Sequence, residues 1–145
     1  MRIPSKHQDI KVLIAEDFTA FREFLRSKLE GNGFRTIMEA EDGLDAVEKA
    51  AELQPDLVLL DIAMPKLNGI EAAHRIRGVA PQSRIIFVSQ INHPDVVHSA
   101  LSNGAKGYLH KSEINQEVLS AIEAVLAGKH FISPALHSTL RSNRF

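Results

Sequence analysis

Five apolar runs of strand length recur along the chain, each leading to a segment whose apolar residues return every three or four positions. Lys11–Ala15 opens the series, and residues 18–30 follow with Phe21, Phe24, Leu25 and Leu29 at helical spacing. Gly31-Asn32-Gly33 ends that helix with residues that tolerate positive φ. Residues 34–40 form the second run. Asp42 then caps a helix to about residue 53, with Leu44, Val47 and Ala51 along one face. Pro55-Asp56 leads into Leu57–Leu60, which is apolar on both faces, as a parallel strand covered by helices on two sides must be. Asn68 precedes a helix through about residue 77, ended by Gly78 and Pro81. Residues 84–88 are the fourth run, Pro94–Ser102 a helix ended by Asn103-Gly104, and residues 106–109 the fifth run. Ser112 caps the last long helix, whose core side carries Ile114, Val118, Ile122, Val125 and Leu126, and Gly128 ends it.

Strands alternating with helices through short loops predict βαβ units with right-handed crossovers. The expected fold is α/β, a doubly wound five-stranded parallel sheet with five flanking helices. The chain of 145 residues holds one such domain with a core of its own, placed at residues 10–130. Residues 1–9, polar and containing Pro4, are a flexible lead-in. Residues 131–145 are a C-terminal tail or the start of a linker, with a short helix over residues 135–140 and too few apolar positions for a second domain.

Four of the runs end in a reactive side chain: Glu16-Asp17, Asp61, Ser89 and Lys111. In an open parallel sheet the carboxyl ends of the strands share one crevice, so these groups are expected to converge. Carboxylates about 4 Å apart near a protein surface repel by about 4 kcal/mol per pair, a strain that a divalent cation relieves. Mg²⁺ takes oxygen ligands and keeps waters; Glu16, Asp17, Asp61 and the main-chain carbonyl of Ala63 would serve it. The chain has no cysteine, and His93 and His98 stand too far apart in register to share a helix face, so a hard cation is favoured over zinc. Lys111 and the cation would neutralise a phosphoryl group, Ser89 would donate to it, and Asp61 would be the nucleophile. Read singly, Glu16-Asp17 is also ordinary loop charge, Asp61 a turn cap, Ser89 structural and Lys111 surface; only their joint placement carries the reading. Asp61, closing a run as apolar as LVLL, needs compensating charge.

Composition narrows the partners. Seventeen basic residues against eighteen acidic ones leave no broad nucleic-acid or membrane-surface footprint, and Arg75, Arg77 and Arg84 read as a solvated face. No apolar stretch spans a bilayer and no signal sequence opens the chain, which fits a cytoplasmic protein in a reducing compartment.

These residues, with Asn68-Gly69-Ile70-Glu71 and Tyr108, resemble the receiver domain of a two-component response regulator over roughly residues 10–130. GAKGYLHKS and AVLAGKHFIS resemble the branch whose receivers usually precede a LuxR-type helix-turn-helix domain. The resemblance implies a flavodoxin-like sheet of order 2-1-3-4-5. It implies that Asp61 accepts a phosphoryl group from a sensor histidine kinase or phosphotransfer protein, with Mg²⁺ held by Glu16, Asp17, Asp61 and the Ala63 carbonyl. Lys111 would bind the phosphoryl group, Ser89 would swing toward it, and Tyr108 would move inward. Such a chain is a switch that receives and hydrolyses its own phosphoryl group, not a dedicated enzyme. A homodimer would form through the first and last helices, or through the fourth helix, fifth strand and last helix. Gln90, where the family more often has a small residue, is expected to alter autodephosphorylation. Ser112 stands where many receivers have proline. The alternatives are the receiver half of a DNA-binding regulator, no such domain following in this chain, or a phosphorylation-independent interaction module. A hydrolase with an aspartate nucleophile is disfavoured, because Ala63 stands where its second acid belongs.

Overall fold

The computed structural model describes residues 7–142, so the first six residues of the expected lead-in and the last three of the tail lie outside it. Its centre is a fully parallel sheet of order β2-β1-β3-β4-β5-β6. The strands are β1 (Lys11–Ala15), β2 (Thr36–Ala40), β3 (Leu57–Leu60), β4 (Arg84–Ser89), β5 (Gly107–His110) and β6 (Phe131–Ile132). The helices are α1 (Thr19–Glu30), α2 (Gly43–Leu53), α3 (Gly69–Val79), α4 (Pro94–Ser102), α5 (Ile114–Leu126) and α6 (His137–Ser142). The expected doubly wound α/β sheet forms, with one correction: it has six strands rather than five. Phe131 and Ile132 pair with Gly107 and Tyr108. Two residues give no periodicity to read, and what makes them a strand is the open edge of β5, whose carbonyls accept from the tail: Ser133 N–H donates to Tyr108 O at 2.9 Å.

Side-chain alternation along each strand feeds two cores. Leu13, Ala15, Val58, Leu60, Ile85, Phe87 and Tyr108 point toward α2, α3 and α4. Val12, Ile14, Leu57, Leu59, Ile86, Val88 and Leu109 point toward α1 and α5. Both faces being covered, every residue of β3 is buried. The tail closes the first core at one end: Leu136 is fully buried there, and α6 packs on α4.

Two caps lie where the sequence puts them. Asp42 accepts from Asp45 N–H at 2.8 Å, and Asn68 from Glu71 N–H at 3.0 Å. Three local expectations are corrected. Ser112 does not cap α5: it sits in a single 3₁₀ turn, Lys111–Glu113, and its N–H donates to the His110 ring. Gly78 lies inside α3, which runs on to Val79. The buried face of α2 is Ala46 and Ala50, with Leu44 left 46% exposed, not the Leu44-Val47-Ala51 stripe. The cause is Gly43, where a Cβ would stand 1.9 Å from the Leu67 carbonyl oxygen. That close approach sets the start of α2 against the loop before α3, with Ala46 and Ala50 facing the core and Val47 partly buried beside them.

Candidate functional site

The carboxyl ends of β1, β3, β4 and β5 bring the expected groups together. Glu16 follows β1 and is 2% exposed; Asp61 follows β3 and is 6% exposed; Asp17 is at the surface. One carboxylate oxygen from each lies within 4.8 Å of the others. Among the described residues this is the one such group of three or more acidic, histidine or cysteine side chains. Lys111 Nζ reaches into it, 2.8 Å from Glu16 Oε1 and 3.2 Å from Asp61 Oδ2, and sits 4.5 Å from the Phe21 ring centroid.

The main chain fixes both buried acids. Asp61 Oδ1 accepts from Ile62 N–H at 2.7 Å, and Glu16 Oε2 from Phe18 N–H at 3.0 Å. Burial pushes the Glu16 carboxyl up; the Lys111 and Phe18 contacts oppose this only partly, and the Asp61 charge adds to it. For Lys111 burial disfavours the ammonium, yet contact with Glu16 and Asp61 outweighs burial and holds its pKa above the usual lysine value. A site with three carboxylates and one ammonium leaves two negative charges uncompensated, with only oxygen donors around them. That donor set suits a hard divalent cation.

Ser89, the last residue of β4, is 1% exposed and accepts from Ile91 N–H at 3.0 Å. Tyr108 is fully buried, its ring turned inward and its hydroxyl donating to Ile91 O at 2.7 Å. Burial pushes that phenol up to about 12. Ala63 is exposed in the bend two residues past Asp61. Gln90 is exposed and lines an open cleft of about 350 Å³ with Phe18, Phe21, His110, Lys111 and Ser112.

Some supporting residues escaped the sequence reading. Arg22 is 7% exposed; its guanidinium donates to Glu16 O at 2.7 Å and to Glu39 Oε1 at 2.6 Å, tying α1 and β2 to the acidic loop. Its spacing to Leu25 and Leu29 already put it on the core face of α1, a signal hidden by its charge. Gly69 lets α3 start against Asp61: a Cβ there would lie 1.9 Å from the Asp61 carbonyl oxygen. His110 and Ser133 lie in the segments GAKGYLHKS and AVLAGKHFIS, but no sequence signal assigned either residue a role of its own. Arg75 pairs with Glu71, and Arg77 donates to Asn103 O, as surface side chains. No helix among the described residues is long and apolar enough to cross a membrane.

Known proteins resemble this chain in sequence and fold. The family model for the response regulator receiver domain matches residues 12–123. A Pseudomonas aeruginosa protein named as a transcriptional regulator is 36% identical over 135 residues, 92% of this chain and 65% of that protein. This chain therefore spans under two thirds of that relative's length. The chemotaxis protein CheY of Bacillus subtilis is 39% identical over 116 residues, 80% of this chain and 97% of that protein. The crystal structure of a LuxR-family two-component response regulator from Aurantimonas superposes with a TM-score of 0.87 at 31% identity, covering 93% of this chain and 97% of that one. The chain belongs to the response regulator receiver domains of two-component systems.

Proposed function

We propose that Asp61 is the phosphoacceptor of this receiver and that a sensor histidine kinase or phosphotransfer protein in the cytoplasm is its donor. The observation behind this reading is a buried carboxylate at the end of β3 with an ammonium 3.2 Å away and two further carboxylates within 4.8 Å. A carboxylate oxygen of Asp61 attacks the phosphorus of a phosphohistidine; the O–P bond forms as the N–P bond breaks, and the imidazole leaves and takes up a proton. The charge spread over the equatorial oxygens makes positioning and neutralisation the main catalytic needs. Lys111 supplies fixed positive charge, and the Ser89 hydroxyl donates to a phosphoryl oxygen once its loop closes. Mg²⁺ is the cation of choice for the oxygen-only set Glu16, Asp17, Asp61 and the Ala63 carbonyl, and bound there it supplies neutralisation of phosphoryl-oxygen charge.

Drawing Ser89 toward the phosphoryl group moves the segment that carries Ile91, which holds the Tyr108 hydroxyl. Tyr108 thereby reports the state of Asp61. Moving the equilibrium from mostly off to mostly on takes about 5.5 kcal/mol of differential interaction. The chain acts on its own phosphoryl group alone, so it is a switch rather than a dedicated enzyme, and Gln90 at the cleft changes how long that group survives. Residues 10–130 carry the receiver function, and residues 131–136 add an edge strand and a core residue to the same domain. Since β6 and α6 lie along β5 and α4, the homodimer forms through α1 and α5 rather than through the α4–β5 face. A relative that extends well beyond this chain and is named for transcriptional regulation favours a second reading, the receiver part of a DNA-binding regulator.

Incubation with acetyl phosphate and Mg²⁺, read by intact mass, tests the assignment. One phosphoryl adduct is expected in the wild type and none in Asp61→Asn or without Mg²⁺, with an altered adduct lifetime in Gln90→Ala. An adduct that survives Asp61→Asn refutes Asp61 as the acceptor, and a folded wild type that no kinase or small donor loads refutes phosphoryl transfer in favour of a phosphorylation-independent module.

A further inference from the structure

The ring of His110 lies between the two loops that present Ser89 and Lys111. Its Nε2 is 3.0 Å from the carbonyl oxygen of Gln90, the residue after Ser89. Its Nδ1 is 2.7 Å from Ser112 Oγ and accepts from Ser112 N–H at 3.2 Å, the residue after Lys111. An Nδ1 that accepts a backbone N–H carries no proton, so the neutral ring is protonated on Nε2, which donates to Gln90 O. The imidazole is thus a two-point bracket, one point on each loop. A third contact anchors its backbone: His110 N–H donates to Ser133 Oγ at 3.0 Å, and Ser133, fully buried, donates in turn to Glu117 on α5.

We infer that His110 is a positioning residue for phosphoryl binding: it fixes the spacing between the Ser89 and Lys111 loops through hydrogen bonds to Gln90 O and to Ser112. The inference rests on the reading of Asp61 as phosphoacceptor and adds a residue that touches neither Asp61 nor its phosphoryl group. Ser89 and Lys111 come from different strands, and β4 and β5 pair only as far as Ser89 and His110. Beyond that pair no ladder holds the loops together, and the His110 ring takes over where the sheet stops. The same ring walls the cleft beside Lys111, with Gln90 and Ser112 on either side. A bracket of this kind lowers the ordering that phosphoryl binding would otherwise require.

The test uses beryllofluoride, a tetrahedral phosphoryl mimic, with Mg²⁺. The chain has one tyrosine and no tryptophan, so intrinsic fluorescence reads Tyr108 alone. His110→Phe keeps the ring and removes both nitrogens; His110→Gln keeps a donor that reaches Gln90 O. His110→Phe is expected to weaken beryllofluoride binding about fivefold, the worth of one net hydrogen bond. His110→Gln should restore most of it, and acetyl phosphate loading should follow the same order. His110→Ala carries the same expectation as His110→Phe and replaces it if that variant fails to fold. Unchanged or tighter binding in the Phe or Ala variant overturns the inference, as does equal weakening in His110→Gln. A wild type that binds no beryllofluoride overturns the phosphoacceptor reading, and this inference with it.

Discussion

Replacing Lys111 by Met tests the charge logic of the site without reference to phosphoryl chemistry. The variant keeps the length and apolar contact of the side chain against Phe21 and removes the ammonium 2.8 Å from Glu16 and 3.2 Å from Asp61. Both acids are more than nine-tenths buried, so breaking the pairs leaves uncompensated buried charge, which costs about 3–5 kcal/mol at neutral pH. For a domain of this size that lowers Tm by on the order of 10 °C. The deficit must also depend on pH in a fixed direction. The folded-state pKa of Glu16 is already raised, and losing Lys111 removes contacts that lower it while burial and the Asp61 charge stay. A carboxyl with a raised folded pKa makes its folded state bind more protons than the unfolded one, so stability falls as pH rises through the window above the ordinary glutamate value of 4.5. The variant therefore approaches the wild type at acid pH and separates from it toward neutrality. Urea unfolding from pH 4.5 to pH 8 in a chelator measures the difference. Parallel curves, with the same deficit throughout, would refute the argument.

Two further predictions follow from contacts around the site. Gly69→Ala pushes a methyl against the Asp61 carbonyl oxygen, a backbone atom that cannot swing aside, so a loss of about 3 kcal/mol or more is expected in denaturant unfolding. Beryllofluoride affinity should fall with it because Asp61 is displaced; a variant within about 0.5 kcal/mol of wild type would show that the helix start shifts freely. Spectrophotometric titration of the single tyrosine should give a midpoint near 12 while the protein stays folded, against an ordinary 10 once unfolded. Because the folded pKa is raised, Tyr108 weakens the fold as pH climbs from 10 toward 12, and a folded midpoint near 10 would mean that the ring is not held inward.

Which features were legible in the sequence follows from how local their causes are. The alternation of apolar runs and helical stripes exposed the doubly wound sheet, because each strand must bury both faces and each helix one. Strand ends in such a sheet converge whatever the loops do, so the sequence alone groups Glu16, Asp61, Ser89 and Lys111. The Asp42 and Asn68 caps were legible for the same reason, since a cap acts within three residues. Features set by a distant neighbour were not. Leu44 sits on the best apolar stripe of α2 and is left half-exposed by Gly43 meeting the Leu67 main chain, a contact between segments twenty-four residues apart. Ser112 looks like a cap from its position, but the His110 ring takes its N–H, and that ring is placed by the end of the β4–β5 ladder. The sixth strand exists because β5 has an open edge, not because Phe131-Ile132 has any pattern of its own. The consequence reaches the site: with β6 on β5, Ser133 supports His110 and Ile132 lies beside Tyr108, so a segment that reads as a tail forms part of the wall behind the switch tyrosine. Anything that pulls on that segment pulls on the strand that leads into Lys111.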